Sequence, residues 1–363
     1  MRVLIVYASS GAGHRRAAEA IYDYLKANRL DLSLKMVDVL DRTNALFRFD
    51  YTVGYSFLVK YAVSLWRFAF WLTKFKLFRF LSSPIATFVN NINSLSFIRY
   101  LIRKNPDVII STHFLPADIA ALLKRSHKIK SKLITVITDF GVHPYWVAEG
   151  TDLYIAASDF TKERLLKERV GPERIKVFGL PFHPRFLKQF DRKALAQKIG
   201  IAPDRFTVLL MTGSFGSGPL EKIAKLLSSD VQVLVVCASN EKLRKRLLKR
   251  HIPNVKAFGF VENTEELMAV SDCIVTKAGG STIAEVINMD LAPVFISIIP
   301  GQEFYNVEAL RRLGVGLVPK NIAQLKEMVL ELKNNPDKLN LMKERIEAVK
   351  KPLACEEIAG VIR

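Results

Sequence analysis

Twice in this chain, about 205 residues apart, a β-branched run breaks into a small-residue loop and then into a helical pattern. Arg2–Tyr7 leads through Ala8–Gly13 to a helix over Arg15–Lys26, with Ala17, Ala18, Ile21 and Leu25 on one face. Phe206–Met211 leads through Thr212–Gly218 to a helix over Leu220–Leu227. A strand buried on both faces reads as a continuous apolar run, and its parallel neighbour is reached only through a crossover. Each stretch therefore opens a βαβ unit. Val108–Ser111, Lys132–Thr138, Leu153–Ala157 and Lys176–Phe178 continue the first series as strands, with a helix over Asp159–Lys167. Val231–Cys237, Cys273–Thr276 and Ala292–Ile298 continue the second.

The pattern predicts an α/β protein of two Rossmann-like domains facing a cleft, and 363 residues suffice for both. The boundaries expected are 1–182 for the first domain and 183–345 for the second, hinged at the proline-rich 179–186. A tail, 346–363, takes in the end of the final helix over Lys338–Lys350 and is read as crossing back to the first domain. Asn263-Thr-Glu-Glu266 reads as a helix capping box.

Charge is distributed unevenly. Lys and Arg number 54 against 35 Asp and Glu, a balance of +19. Residues 1–185 hold 28 of the bases and 15 of the acids, which implies an anionic partner surface, lipid or nucleic acid. Segment 44–104 stands apart, with nine bases, one acid (Asp50) and sixteen aromatics. Trp66, Arg67, Trp71, Lys74, Lys76 and Arg79 are interleaved there. Aromatic and basic side chains together suit a membrane interface, so this insertion is read as a docking surface. Solvated bases on a pair of core helices are the plainer alternative. A nucleic-acid-binding protein would also explain the composition, but not the polar motifs at the ends of the later strands.

No run of about 18 apolar residues occurs, so a spanning helix is not expected. The first residues lack the long apolar core of a signal peptide. Cys237, Cys273 and Cys355 are odd in number and widely spaced, which reads as buried thiols in a reducing compartment. The expected location is the cytoplasm, with peripheral attachment to the inner face of the cell membrane.

Chemistry-bearing residues gather where strands end. Gly279-Gly-Ser-Thr282 opens a helix after a strand, a place where backbone N–H groups favour a phosphate, and Glu285 lies one turn in. An ordinary cap by Ser281 or Thr282 is the alternative reading. Gln302, Glu303 and Asn306, after Pro300-Gly301, offer groups that suit hexose hydroxyls; a polar loop capping a helix is the alternative. Ser9-Ser-Gly-Ala-Gly-His14 is neither a dinucleotide fingerprint, since Arg16 occupies the third glycine position, nor a Walker loop. His14 at a helix N-terminus would be held neutral and able to accept a proton, with Asp139 at another strand end. Asp139-Phe-Gly141 matches a kinase metal motif only in isolation.

Taken in order, these pieces resemble a known family. Gly11-Ala-Gly-His-Arg-Arg-Ala-Ala-Glu-Ala-Ile21 is similar to the opening of bacterial diacylglycerol glucosyltransferases and plant monogalactosyldiacylglycerol synthases. Ser111-Thr-His113, Thr138-Asp139, His143-Pro144, Val177-Phe-Gly-Leu-Pro181, Thr276-Lys-Ala-Gly-Gly-Ser-Thr-Ile-Ala-Glu285 and Pro300-Gly-Gln-Glu303 follow in the family's order. The resemblance spans nearly the whole chain. It implies the GT-B fold of glycosyltransferase family 28 and an inverting transfer of glucose or galactose from UDP-glucose or UDP-galactose to diacylglycerol or a related lipid. A UDP-GlcNAc-using enzyme of the lipid II-forming peptidoglycan type is the alternative, although no His-Glu-Gln-Asn stretch is present. Ala12 and Phe304-Tyr305 depart from the family's usual residues.

The resemblance also implies roles. Backbone groups of Phe258, Gly259 and Phe260 would read the uracil, and Glu285 the ribose. Ser214 with Gly279, Gly280, Ser281 and Thr282 would hold the diphosphate without metal or cofactor. Gln302, Glu303 and Asn306 would hold the hexose. His14 is the expected base, with Asp139 as its alternative or orienter, while Gly13 and His113 belong to the acceptor side. An anionic membrane, and no nucleic acid, is the expected partner.

Overall fold

The computed structural model describes residues 1–9, 11–54, 58, 62–73, 75–296 and 301–362. Lys74 lies outside the described residues, as do the side chains of Trp66, Lys76 and Arg79. The chain divides into two compact units. The first comprises Met1–His183 with the short segment Ile299–Tyr305 and the tail Leu353–Arg363. The second comprises Pro184–Ile298 and Asn306–Pro352.

The first unit is built on six parallel strands: β1 (Arg2–Tyr7), β2 (Ser33–Asp38), β3 (Val108–Ser111), β4 (Lys132–Val136), β5 (Leu153–Ala156) and β6 (Ile175–Val177). Their order across the sheet is β2-β1-β3-β4-β5-β6. β1 is thus the point at which the winding reverses, paired with β2 on one side and β3 on the other. The second unit has five parallel strands, β7 (Thr207–Met211), β8 (Gln232–Val236), β9 (Val255–Phe258), β10 (Cys273–Thr276) and β11 (Ala292–Phe295), in the order β11-β10-β7-β8-β9. Here the reversal falls between β10 and β7. Ligands of open parallel sheets bind beyond the carboxyl ends of strands at such a reversal.

Central strands are buried on both faces, which is why they read as unbroken apolar runs. The edge strand β2 alternates between exposed and partly buried residues, and β9 carries Lys256 outward. The three cysteines are buried and free. At Asn263 no capping box forms. Its Nδ2 donates to Glu266 Oε2 at 2.7 Å, and the same carboxylate is held by Lys198, so the side chain has no reach left for the helix's N–H groups.

The tail belongs to the first unit's core. Ile358, Ala359 and Ile362 pack with Val3, Ile5, Ile21 and Leu25 in one cluster. Arg29 donates to the Ala359 carbonyl at 3.3 Å and Lys132 to the Val361 carbonyl at 2.8 Å, so chain ends that would fray are tied down. Ile358 is fully buried. Ile358→Ala should therefore destabilise the protein by about 2–5 kcal/mol in urea unfolding. Truncating the exposed Leu353 should cost less than about 0.5 kcal/mol.

Candidate active site

At the carboxyl end of β1 the chain enters the Ala8–Gly13 loop. Asp38, at the end of β2, anchors it: its carboxylate accepts from the Ser9 N–H at 3.3 Å and from the Ser9 hydroxyl, while also capping Leu40. The helix that follows spans Ala12–Asn28, starting three residues earlier than its apolar face suggests, so Gly13 and His14 lie in its first turn.

His14 is fixed by backbone from the neighbouring strand. Its Nδ1 lies 2.9 Å from the Thr112 carbonyl, and the Thr112 hydroxyl donates to the His14 carbonyl at 2.9 Å. A carbonyl only accepts, so the neutral ring carries its proton on Nδ1. Thr138 Oγ1 stands 2.8 Å from the same nitrogen. Nε2 is left with the lone pair.

His113 faces His14 edge-on, with ring centroids 4.5 Å apart, and is buried. Its Nδ1 accepts from the Leu115 N–H at 3.0 Å, capping the helix Phe114–Arg125, so its own proton sits on Nε2. Trp146, also buried, places its ring 6.0 Å from His14 and 6.3 Å from His113. Enclosure by these rings holds the His14 pKa below the ordinary 6.5; the charge of buried Asp139 and the Thr112 hydrogen bond pull it part-way back. Burial is the largest cause of the lowering. His113 is also held well below the ordinary 6.5, by burial and then by His14. His143 caps the short turn Pro144–Trp146, and its Nε2 meets Thr73 Oγ1 at 2.8 Å.

In the second unit, two loops flank the strand reversal. Thr212–Gly218 leaves β7 with Gly213, Gly216 and Gly218 at positive φ. The turn is pinned to the end of β8, where Ser239 Oγ donates to the Ser214 carbonyl at 2.8 Å and Asn240 Nδ2 to the Gly216 carbonyl at 3.1 Å. A side chain on Gly216 would run into the Cys237 carbonyl, whereas Gly213 and Gly279 face open space.

The helix Gly280–Asn288 opens after β10 with Gly279 as its cap residue and no side-chain cap, so neither Ser281 nor Thr282 takes that role. Glu285 is buried on its first turns. At β9 the Phe258 carbonyl already accepts from the Cys237 N–H at 2.9 Å, while Gly259 and the exposed Phe260 follow it. Gln302 and Glu303 begin the helix Gln302–Arg312 and are partly buried; they fall in the segment grouped with the first unit. Asn306 lies on the same helix. It is fully buried and its Nδ2 donates to the Ala278 carbonyl at 2.8 Å, which places it behind the loop that leads to Gly279.

Of segment 44–104, two described helices run from Val63 to Leu72 and from Lys76 to Asn93; Ala45–Phe49 precedes them, and Leu95–Lys104, with Phe97, Tyr100 and Leu101 buried, follows. Arg67 is exposed. So are Phe68, Trp71 and Phe75, whose rings form a chain with centroids 6.0 Å and then 4.5 Å apart. Ile85, Phe88, Val89 and Ile92 are exposed at spacings of three, four and seven, one apolar stripe along the second helix. Among the described residues no helix is long and apolar enough to cross a membrane.

Residues 14–182 match the family model of monogalactosyldiacylglycerol (MGDG) synthase, and residues 207–358 match the glycosyltransferase family 28 C-terminal domain. A probable monogalactosyldiacylglycerol synthase 2, chloroplastic, of Oryza sativa subsp. japonica is 32% identical over 339 residues, covering 88% of this chain and 71% of that protein. The chain belongs to the monogalactosyldiacylglycerol synthase and diacylglycerol glucosyltransferase family. Membership makes it a glycosyltransferase. A processive diacylglycerol beta-glucosyltransferase of Bacillus pumilus (strain SAFR-032) is 28% identical over 365 residues, 96% of this chain and 91% of the relative. In fold, the chain is similar to MurG of Acinetobacter baumannii, with a TM-score of 0.66 at 15% identity over 99% of both chains. Anabaena Alr3699/HepE, solved in complex with UDP-glucose, gives 0.60 at 15% identity over 100% and 99%. The architecture is GT-B, an α/β fold of two Rossmann-like units.

Sequence reasoning missed Thr112 and Trp146 as parts of the His14 setting. Thr112 meets the His14 ring through its carbonyl, which every residue has, and its hydroxyl reaches only the His14 main chain; the Trp, three residues after His143, is the one available signal.

With its pKa lowered, His14 is neutral at pH 7. The acid limb of the kcat/KM profile should lie below pH 6.5, and Asp139→Asn should move it lower, because the carboxylate favours the imidazolium. A limb at or above 6.5 would exclude His14 as the titrating group. For stability, both folded rings bind protons less readily than the unfolded chain does. Stability should thus fall as pH drops through 6.5 and be indifferent to these rings above it.

Proposed function

We propose that this protein transfers a hexose, glucose or galactose, from a UDP-sugar to the free hydroxyl of diacylglycerol at a membrane surface, with inversion at the anomeric carbon. The observation that carries the reading is the His14 clasp: a neutral imidazole with Nδ1 bound to the Thr112 carbonyl and Nε2 left as a proton acceptor. Membership in a family whose relatives are diacylglycerol glycosyltransferases supplies the substrates.

In this reading the first unit takes the lipid and the second takes the nucleotide. His14 Nε2 accepts the acceptor's hydroxyl proton as the oxygen attacks C1, the C1–O bond to UDP breaks, and an α-linked donor gives a β-glycoside. Asp139 steadies the imidazolium that forms. Negative charge grows on the leaving diphosphate, where the uncapped start of the helix Gly280–Asn288 and the Ser214 turn provide N–H groups and the positive end of a helix dipole. This electrostatic support calls for no metal. Glu285 binds the ribose, Gly259 and Phe260 the uracil, and Gln302 with Glu303 the hexose. Asn306 supports the loop from behind.

The exposed Phe68, Trp71 and Phe75, the stripe Ile85–Ile92, the exposed Arg67 and the other bases of the segment's sequence would seat the first unit on an anionic membrane; each base near such a surface contributes about 1 kcal/mol. The inner face of the cell membrane suits a protein that draws its donor from the cytoplasm.

Incubation with UDP-glucose or UDP-galactose and diacylglycerol liposomes should yield a monohexosyl lipid by mass spectrometry, with β configuration by NMR. An α-glycoside would overturn the single displacement. His14→Ala should abolish transfer while UDP binding, measured by calorimetry, persists; near-normal turnover would remove His14 from the mechanism. Glu285→Ala should weaken UDP binding about tenfold or more, the scale of a charged hydrogen bond. Unchanged affinity would exclude the ribose contact.

A further inference from the structure

The second half of the chain carries its charge in one place. Residues 186–363 hold 26 Lys and Arg against 20 Asp and Glu. The helix Glu241–Arg250, EKLRKRLLKR, has six of those bases and one of the acids. What remains is 20 against 19, so the whole excess beyond a single charge sits on ten residues.

Leu243 and Leu247 bury one side of this helix. Lys242, Lys245, Arg246 and Lys249 recur at spacings of three, four and seven, and all four are exposed. They form one basic stripe on the side away from the core. Neutralisation is confined to its margin. Arg246 and Arg250 share Glu221, at 3.1 and 2.9 Å, and Arg244 pairs with Glu241 at 3.3 Å. Among the described residues Lys242, Lys245 and Lys249 have no ion pair. Like charges three and four apart destabilise an isolated helix, and a merely solvated face gains more from alternating signs. An opposing anionic surface reverses that penalty.

We propose that the helix Glu241–Arg250 is a second membrane-docking element, which lays its basic stripe on anionic phospholipid headgroups. The inference rests on the reading of the protein as a lipid glycosyltransferase, since that reading brings a bilayer to it. Lipid is favoured over nucleic acid because residues 241–250 contain no aromatic to stack a base, whereas Leu248, 48% exposed beside Lys245 and Lys249, offers a shallow apolar contact.

The test uses the full chain and vesicles of phosphatidylcholine with or without phosphatidylglycerol. In Lys242→Gln/Lys245→Gln/Lys249→Gln, each lost charge should weaken binding to anionic vesicles about fivefold, and the three together on the order of a hundredfold at low salt. Binding to neutral vesicles and transfer to detergent-dispersed diacylglycerol should stay as in the wild type, and thermal stability should not fall. If the wild type binds anionic vesicles and the triple variant binds them equally, this inference fails and the docking of the first unit stands. Failure of the wild type to bind either vesicle would overturn both. RNA binding by the wild type that the triple variant loses, with vesicle binding unchanged, would assign the stripe to nucleic acid and overturn the proposal.

Discussion

Parallel pairing is the constraint on which the rest of this molecule depends. When every strand of a sheet points the same way, all carboxyl ends open on one edge, and the loops that leave them converge there. β1 is held between β2 and β3 by register on both sides, so the loops after all three must meet. Asp38 from β2 therefore reaches Ser9, and Thr112 from the β3 loop reaches His14. The second sheet repeats the arrangement with the loops after β7 and β10. Polar chemistry is concentrated at these two places because central strands buried on both faces leave it nowhere else.

Within the first of these places, burial is used in two directions. His113 is enclosed, and its Nδ1 accepts from the Leu115 N–H to cap the helix Phe114–Arg125. His14 lies against the same rings, yet keeps an acidic neighbour that opposes the loss of its charged form. Two imidazoles 4.5 Å apart thereby have different capacities. The difference comes from what each Nδ1 touches: a backbone N–H in one case, a backbone carbonyl in the other.

Much of this was legible beforehand, for identifiable reasons. Central strands announce themselves through unbroken apolar runs, and the helices Asp159–Lys167 and Leu220–Leu227 through apolar periodicity. The edge strands β2 and β9 were not read, since a half-exposed strand with Lys35 or Lys256 resembles a loop. Strand ends were read too long at Ile137-Thr138, Cys237 and Ile296 because apolar residues continue past the last ladder position into the site loops. His14, Asp139 and Glu285 were legible as polar residues at strand ends. The tautomer of His14 was not, because it is written in a main-chain carbonyl. Nor was the turning of Asn306 toward Ala278, since an amide near a loop looks the same whether it faces a ligand or the backbone.

The return of the last eleven residues to the first unit has a consequence for how such a protein can be rearranged. A recombinant boundary near His183 would sever the first sheet from Ile358 and Ile362, which complete its apolar layer. An exchange of halves between relatives is therefore a three-piece operation: the leading segment and the terminal segment must travel together. The two ends of this polypeptide behave as one heritable module, with the other domain inserted into it.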